Sequence, residues 1–415
     1  MIEDARTRQW RHRVAASVVA LAVPGIVAIV LAVDGGGGSK AGHGGATPGG
    51  APVSGKGRKA SSPAADQPAV LPSVGQMGLL APGVGWAANG VSFNITRNSG
   101  RSWTDVHVPG LRGDIVVNLW AAASPSPREV VLGSYAGKVY GSCTHPTGPA
   151  NPIELPIGKM AVSTNAGRTW RGMTLPGCVL TSSLSFVNTK VGFAVMMSGP
   201  SNPLRPALYV TTDGARTWRR IGPMPFNGPI DFASSDDGWG IAAGSNAGGR
   251  GALYHTIDGG RTWHSSSICR PTPIDGTTVA CDVPHFFSDR AGVVPAVLVN
   301  HTTGRSSLIV YSTVDAGQTW ARHALPSDTQ LHAYVAQAQP IPFSAPTASD
   351  FFTLIAGQLV ATHDGGRHWF TFTQPSLSGF GSLDFASSTY GWVIAANAFD
   401  YTTDGGKSWN PLAKQ

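Results

Sequence analysis

Charge is scarce in this chain: Asp, Glu, Lys and Arg make up only 13% of its 415 residues. The long charged side chains that cover exposed helix faces are therefore thin on the ground, which argues against a helical protein. Glutamate is scarcer still, and beyond residue 72 only Glu129 and Glu154 occur. Extended basic runs are absent. Of the net charge of +7, residues 1–33 and residues 34–72 each carry +2, leaving +3 for the rest. With no RNA- or DNA-binding signature, nucleic acid is not expected as a partner. There are four cysteines and no His-x-His among 12 histidines, so a paired zinc cluster lacks its ligands.

What is abundant is turn-forming residue. Gly 53 and Pro 31 punctuate the chain and point to β-structure. At the amino terminus Arg6, Arg8, Arg11 and Arg13 precede an uncharged stretch, 14–33. As a helix it would rise about 30 Å, enough to span a bilayer. Residues 1–13 are read as a cytoplasmic basic segment, 14–33 as a retained transmembrane helix, and everything after as extracytoplasmic by the positive-inside rule. The alternative is a cleaved signal peptide; either form exports the rest. Residues 34–72, rich in Gly, Ser, Pro and Ala, are expected to be a flexible linker of roughly 35 Å end to end.

From there to the carboxyl terminus one eight-residue pattern recurs seven times: Ser/Thr, any residue, Asp/Asn, any residue, Gly/Ala, any residue, Ser/Thr/His, Trp. Its third position is Asn98, Asn165, Asp213, Asp258, Asp315, Asp364 and Asp404; its last is Trp103, Trp170, Trp218, Trp263, Trp320, Trp369 and Trp409. The Asp or Asn is expected to accept backbone N–H bonds a residue or two on, and the Gly to take a positive φ. The seventh-position hydroxyl would bond within the turn. The Trp then supplies an apolar wedge between neighbouring sheets. Ala215 and His368 depart from the pattern, so their turns are expected to be distorted.

A second element precedes most copies: Phe186 with Gly192-Phe193, Phe232 with Gly238-Trp239, Phe385 with Gly391-Trp392, and Gly85-Trp86. Each unit thus holds four short strands. Spacings of 67, 48, 45, 57, 49 and 40 residues between box tryptophans suit the blades of a propeller. The expectation is an all-β, seven-bladed β-propeller over 73–415, each blade complete within its own segment and the ring closed by packing. Extra residues are placed around 136–158, 270–284, 300–305 and 339–349.

The boxes resemble the Asp-box, or BNR, repeat of sialidases, sortilin-type receptors and tandem-propeller xyloglucanases. Together with the Phe and Gly-Trp element they look most like the photosystem II assembly and stability factors of the Ycf48 type. That resemblance implies a non-catalytic, extracytoplasmic propeller acting as a binding scaffold; the photosystem partner is not carried over. In that family the box is a structural turn away from the binding face.

A sialidase-like site would need an arginine cluster, a Tyr activated by Glu and an acid/base Asp. The Phe-Arg-Ile-Pro motif is missing, and Leu204-Arg205-Pro206 does not replace it. Asp114, Glu129, Asp231, Asp350 and Asp384 are the non-box carboxylates nearest inner strands, and they read as strand-end hydrogen-bond acceptors. The box aspartates lack the alternate-residue ladder of a calcium loop. Cys269, Cys281 and His285 make only part of a zinc site. In an exported head, Cys269 with Cys281 would close a loop between blades four and five, and Cys143 with Cys178 would pin the blade-two insert; two other pairings are open. These loops are expected to flank the functional face. No catalytic residue, metal or cofactor is assigned, and oligomeric state is left open. The reading is a bacterial-type, single-pass, cell-membrane propeller binding or scaffolding a protein or glycan, with a surface glycosidase of the Asp-box class as the alternative and a membrane-complex assembly factor as a variant of the first.

Overall fold

The computed structural model describes residues 76–88, 92–108, 118–126, 128–139, 155–175, 179–198, 205–242, 251–325, 341–355, 357–373, 382–395 and 398–413. The expected membrane span and linker lie outside these residues, as do Cys143 and Cys178. No helix among the described residues is long and apolar enough to cross a membrane.

Seven antiparallel sheets follow one another along the chain: blade 1 over 76–105, blade 2 over 118–174, blade 3 over 179–223, blade 4 over 230–265, blade 5 over 270–324, blade 6 over 343–373 and blade 7 over 382–413. Six have four strands in meander order. Blade 5 has six, because a hairpin of Arg270–Ile274 and Thr277–Cys281 is added beside its long second strand, Gly292–Asn300. The first strand of blade 5 is reduced to His285–Phe286. Among the described residues no strand is exchanged between blades, and blade 7 is completed by its own last strand, Asn410–Ala413.

Packing closes the ring. Met77, Leu79 and Ala87 of blade 1 share a buried cluster with Trp392, Phe399 and Leu412 of blade 7. Trp103 lies against Trp392 and Phe399, with ring centroids 5.9 and 5.8 Å away, and its indole N–H donates to the Leu412 carbonyl at 3.4 Å. Comparable clusters fill the other seams, each drawing on alternate residues of two blades.

The Phe and Gly motif has a geometric cause. Phe186, Phe232, Phe286 and Phe385 lie directly across the strand pair from Gly192, Gly238, Gly292 and Gly391. A Cβ on any of these glycines would sit 2.5–2.6 Å from the opposite ring, so the ring occupies the space a side chain would need. The second-strand aromatic then stacks on the next blade's Phe: Phe193 on Phe232 at 3.6 Å and Trp239 on Phe286 at 5.3 Å. The blade 5 copy, Phe286 with Gly292, follows the same rule without the aromatic after Gly.

One expected insert is corrected. Residues 341–346 are buried, and Phe343–Ser344 form the first strand of blade 6. The 339–349 segment therefore holds core rather than an insert, and residues 326–340 lie outside the described residues. The blade 5 inserts stand where expected, as the 270–281 hairpin and the 301–304 turn.

Candidate functional site

The boxes form one face. In every copy the first-position hydroxyl accepts the N–H of the fifth residue at 2.8–3.0 Å and donates to the Asp or Asn Oδ1 at 2.8–3.1 Å. Oδ1 in turn accepts the N–H of the seventh residue at 2.8–2.9 Å. The reach is thus four residues forward, not the one or two expected, and the buried first-position hydroxyl carries a role that the sequence reading left unassigned.

Asp213 and Asp315 are pulled down to about 2, first by the hydroxyls of Thr217 and Thr319. Asp258 is also held at about 2, led by the Thr262 N–H. In the two Asn boxes the amide donates instead, to Ser102 at 2.9 Å and Thr169 at 2.8 Å. The same turn is made without charge.

The two irregular boxes are not distorted. Ala215 takes φ 58° and keeps the Thr211 bond at 3.0 Å. His368 places Nδ1 2.6 Å from Asp364 Oδ2, where other boxes have a hydroxyl. Both substitutes satisfy the same turn, so neither departure disturbs it.

The fourth-residue N–H of each box bonds the turn between first and second strands of its own blade, for example Gly259 to the Asp236 carbonyl at 2.9 Å and Ala316 to Arg290 at 2.8 Å. Those turns and the boxes therefore share a face. By alternation, second-to-third-strand connections and blade-to-blade connections leave from the opposite face.

On that opposite face blade 5 raises a rim. Cys269 is bonded to Cys281 with Cα atoms 5.6 Å apart, joining the two ends of the hairpin. Cys281 also pairs with Gly251 through both backbone bonds, 3.0 and 3.2 Å, which ties the hairpin to blade 4. The hairpin tip meets the 301–304 turn: the His301 N–H donates to the Gly276 carbonyl at 2.7 Å, and the His301 ring lies 3.2 Å from the Thr278 hydroxyl. Ile274, 49% exposed, and residues 301–305 face solvent there. With both sulfurs in the disulfide, the partial zinc reading of Cys269, Cys281 and His285 has no thiolate. Among the described residues no group of three or more His, Cys, Asp or Glu is placed to hold a metal ion.

Two of the inner carboxylates, Asp231 and Asp384, hold backbone N–H groups. First strands present an edge with no strand beside it, and their N–H groups need acceptors. Asp231 accepts the Phe286 N–H of blade 5 at 3.0 Å, and Asp384 accepts the Leu79 N–H of blade 1 at 2.8 Å. Ser183 and Ser185 take the N–H groups of Ile230 and Phe232 at 3.1 and 2.8 Å; Ser344 takes that of Phe385 at 2.9 Å. Asp282 takes that of Ile341 at 2.7 Å. At five seams, 3–4, 4–5, 5–6, 6–7 and 7–1, one blade thus seals the inner edge of the next. The serines and Asp282 escaped the sequence reading, because their partners lie 41 to 59 residues away in the next blade.

Asp350 instead accepts from Thr347 at 2.5 Å and sits 2.7 Å from His363 Nδ1, within blade 6. Glu129 is half-buried at the start of a blade 2 strand, and burial raises its pKa against the opposing pull of Arg216. Arg205 is exposed at a strand end. These groups stand in five different blades. Asp114 and Glu154 lie outside the described residues.

No family model matches the sequence, and no curated protein matches it. Solved structures do. The GH74 xyloglucanase of Xanthomonas campestris superposes with a TM-score of 0.50 at 12% identity, over 80% of this chain and 52% of that one. The chain is built as a seven-bladed Asp-box propeller. It spans about half the length of the xyloglucanase, and identity that low shows a shared fold and nothing of the reaction. A prolyl endopeptidase superposes at 0.50 with 10% identity, over 82% of the propeller chain and 50% of the endopeptidase. A structure of YCF48 bound to a D1 peptide aligns at 18% identity over 66% and 86%, but its TM-score of 0.28 carries no structural argument.

Proposed function

We propose that this propeller is a binding or assembly scaffold, held at the outer side of the cell membrane by residues 14–33, that presents its blade 5 rim to a protein or glycan partner. The observation that carries this reading is the division of labour between the two faces. Repeated turns occupy one face, while the disulfide-braced hairpin and the 301–304 turn belong to the other. Rigid repeats with variable loops on one side are how such folds build recognition surfaces.

The inner carboxylates support the same reading. Asp231 and Asp384 hold backbone N–H groups of neighbouring blades, so moving either toward a substrate would open a seam. A glycosidase needs two carboxyl groups within roughly 5–9.5 Å, free to shuttle protons.

The test uses the full chain in its own membrane. A photo-cross-linking residue replaces Ile274 on the rim or, as control, Arg261 on the box face. The expected result is a saturable adduct with one other protein or glycan from position 274 and no such adduct from 261. Heterologous adducts from 261 alone, or hydrolysis of xyloglucan or sialoside substrates by the purified full chain, would overturn the reading.

A further inference from the structure

The box face has a charge pattern that turn-making does not require. Across the boxes and the first-to-second-strand turns, blades 1–3 carry Arg97, Arg101, Arg128, Arg168, Lys190 and Arg216 against Asp213 alone. The same segments of blades 4–7 carry four basic residues against eight acidic ones. Asn98 and Asn165 sharpen the contrast. They make the same backbone bonds as the box aspartates, yet delete two carboxylates from the half where the arginines lie. Asp236 and Asp289 extend the acidic half and are exposed.

The basic half is continuous across blade boundaries. Arg97 donates to the Ala166 carbonyl of blade 2 at 2.6 Å, and Arg171 to the Ala215 carbonyl of blade 3 at 3.2 Å. Burial, and then the charge of nearby Arg168, lower the Arg97 pKa. On the acidic half of the same face, two aliphatic side chains stand in water at the second box position: Ile257, 69% exposed, and Val314, 76% exposed. Arg97 occupies that position in blade 1.

We propose that the box face is a self-association surface, and that its occupant is a second copy of this chain. A twofold axis lying between two such faces, across the line from the basic to the acidic half, sets the basic half of each copy over the acidic half of the other. Both halves are then matched at once, as an isologous interface demands. Ile257 and Val314 lie on the face so covered. An anionic bilayer would match only blades 1–3 and be repelled by the rest, so charge complementarity favours the second copy. The inference does not depend on the rim or its partner, since it uses the opposite face.

The experiment is a charge exchange on the full chain in neutral detergent, read by sedimentation. One variant carries Arg168→Glu and Lys190→Glu; the other carries Asp236→Lys and Asp289→Lys. All four side chains are exposed, and circular dichroism and thermal unfolding check that each variant folds. The wild type is expected to dimerise, less tightly as salt rises. Each variant alone is expected to weaken dimerisation at least about tenfold, and an equimolar mixture of the two to recover it as a heterodimer.

A wild type that stays monomeric to about 100 μM, or a mixture that associates no better than its components, would overturn the proposal. So would capture of monomers by anionic but not zwitterionic vesicles. A photo-cross-linker in place of Val314, in an otherwise unaltered chain, gives a second reading independent of the charge variants. An adduct of twice the chain mass is expected, and its absence above the dimerisation concentration counts against the interface.

Discussion

Gly260→Ala isolates what the fifth box residue contributes to the blade 3–blade 4 seam. Gly260 has φ 82°, and a Cβ there would lie 2.0 Å from Leu208 Cδ2 of the preceding blade. Placing an L-residue in the left-handed region costs about 1–2 kcal/mol. Forcing a methyl into a filled core adds about 1–3 kcal/mol. The expected loss is therefore about 2–5 kcal/mol. Equilibrium urea unfolding, followed by tryptophan fluorescence, measures it.

Leu208→Ala provides the control. Alone it should destabilise by about 2–5 kcal/mol through the cavity it leaves. Combined with Gly260→Ala it removes the clash, so the double variant should lose less than the sum by about 1–3 kcal/mol. The natural Ala215 shows that an alanine is accommodated at φ 58° where the neighbouring blade presents Met160 and Val162 instead. A loss below about 0.5 kcal/mol for Gly260→Ala, or strict additivity with Leu208→Ala, would refute the claim that box glycines are inter-blade contacts.

Other perturbations follow from the same geometry. Because Asp213, Asp258 and Asp315 fall from 3.8 to about 2 on folding, their contribution is complete above about pH 4 and is lost as pH drops through about 2. Unfolding midpoints measured from pH 5 to 2 should fall in that window, and Asp258→Asn should fold normally at pH 7 while flattening part of the decline. Cys269→Ser with Cys281→Ser should leave the seven blades intact but expose the hairpin tip to proteolysis near Gly276, and an unchanged cleavage pattern would deny the disulfide its bracing role. Asp384→Ala leaves the Leu79 N–H without its acceptor and should cost about 1–3 kcal/mol, read as a shift in urea midpoint.

Much of the ring was legible because its chemistry is local. Each box closes within eight residues, and a hydroxyl, a carboxylate or amide, a glycine and a tryptophan are all needed at fixed offsets. Blade number, strand order and packing closure follow from that repeat. Three things were hidden for physical reasons. The forward reach of Asp258 Oδ1 to Thr262 depends on two successive left-handed residues, Gly259 and Gly260, which only coordinates reveal. The equivalence of His368 to a hydroxyl depends on a ring nitrogen lying where an oxygen normally does. The inner acceptors act between residues 41 to 305 positions apart, so nothing in their neighbourhood announces the bond. Ser185 and Ser344 look like ordinary strand residues until the next blade is placed beside them. The rim was legible in part: an exported head made Cys269 with Cys281 a candidate pair closing a loop between blades four and five, while the hairpin form of that loop and its contact with His301 required the fold.

Hydrogen exchange at the inner edge tests the central claim most directly. The N–H groups of Leu79, Phe232, Phe286 and Phe385 donate to side chains of the preceding blade in the ring: Asp384, Ser185, Asp231 and Ser344. A closed ring sealed in this way predicts that all four exchange as slowly as the central strands, with Leu79 at the blade 7–blade 1 seam no faster than the others. Exchange at the rate of an open strand edge, above all at Leu79, would contradict it.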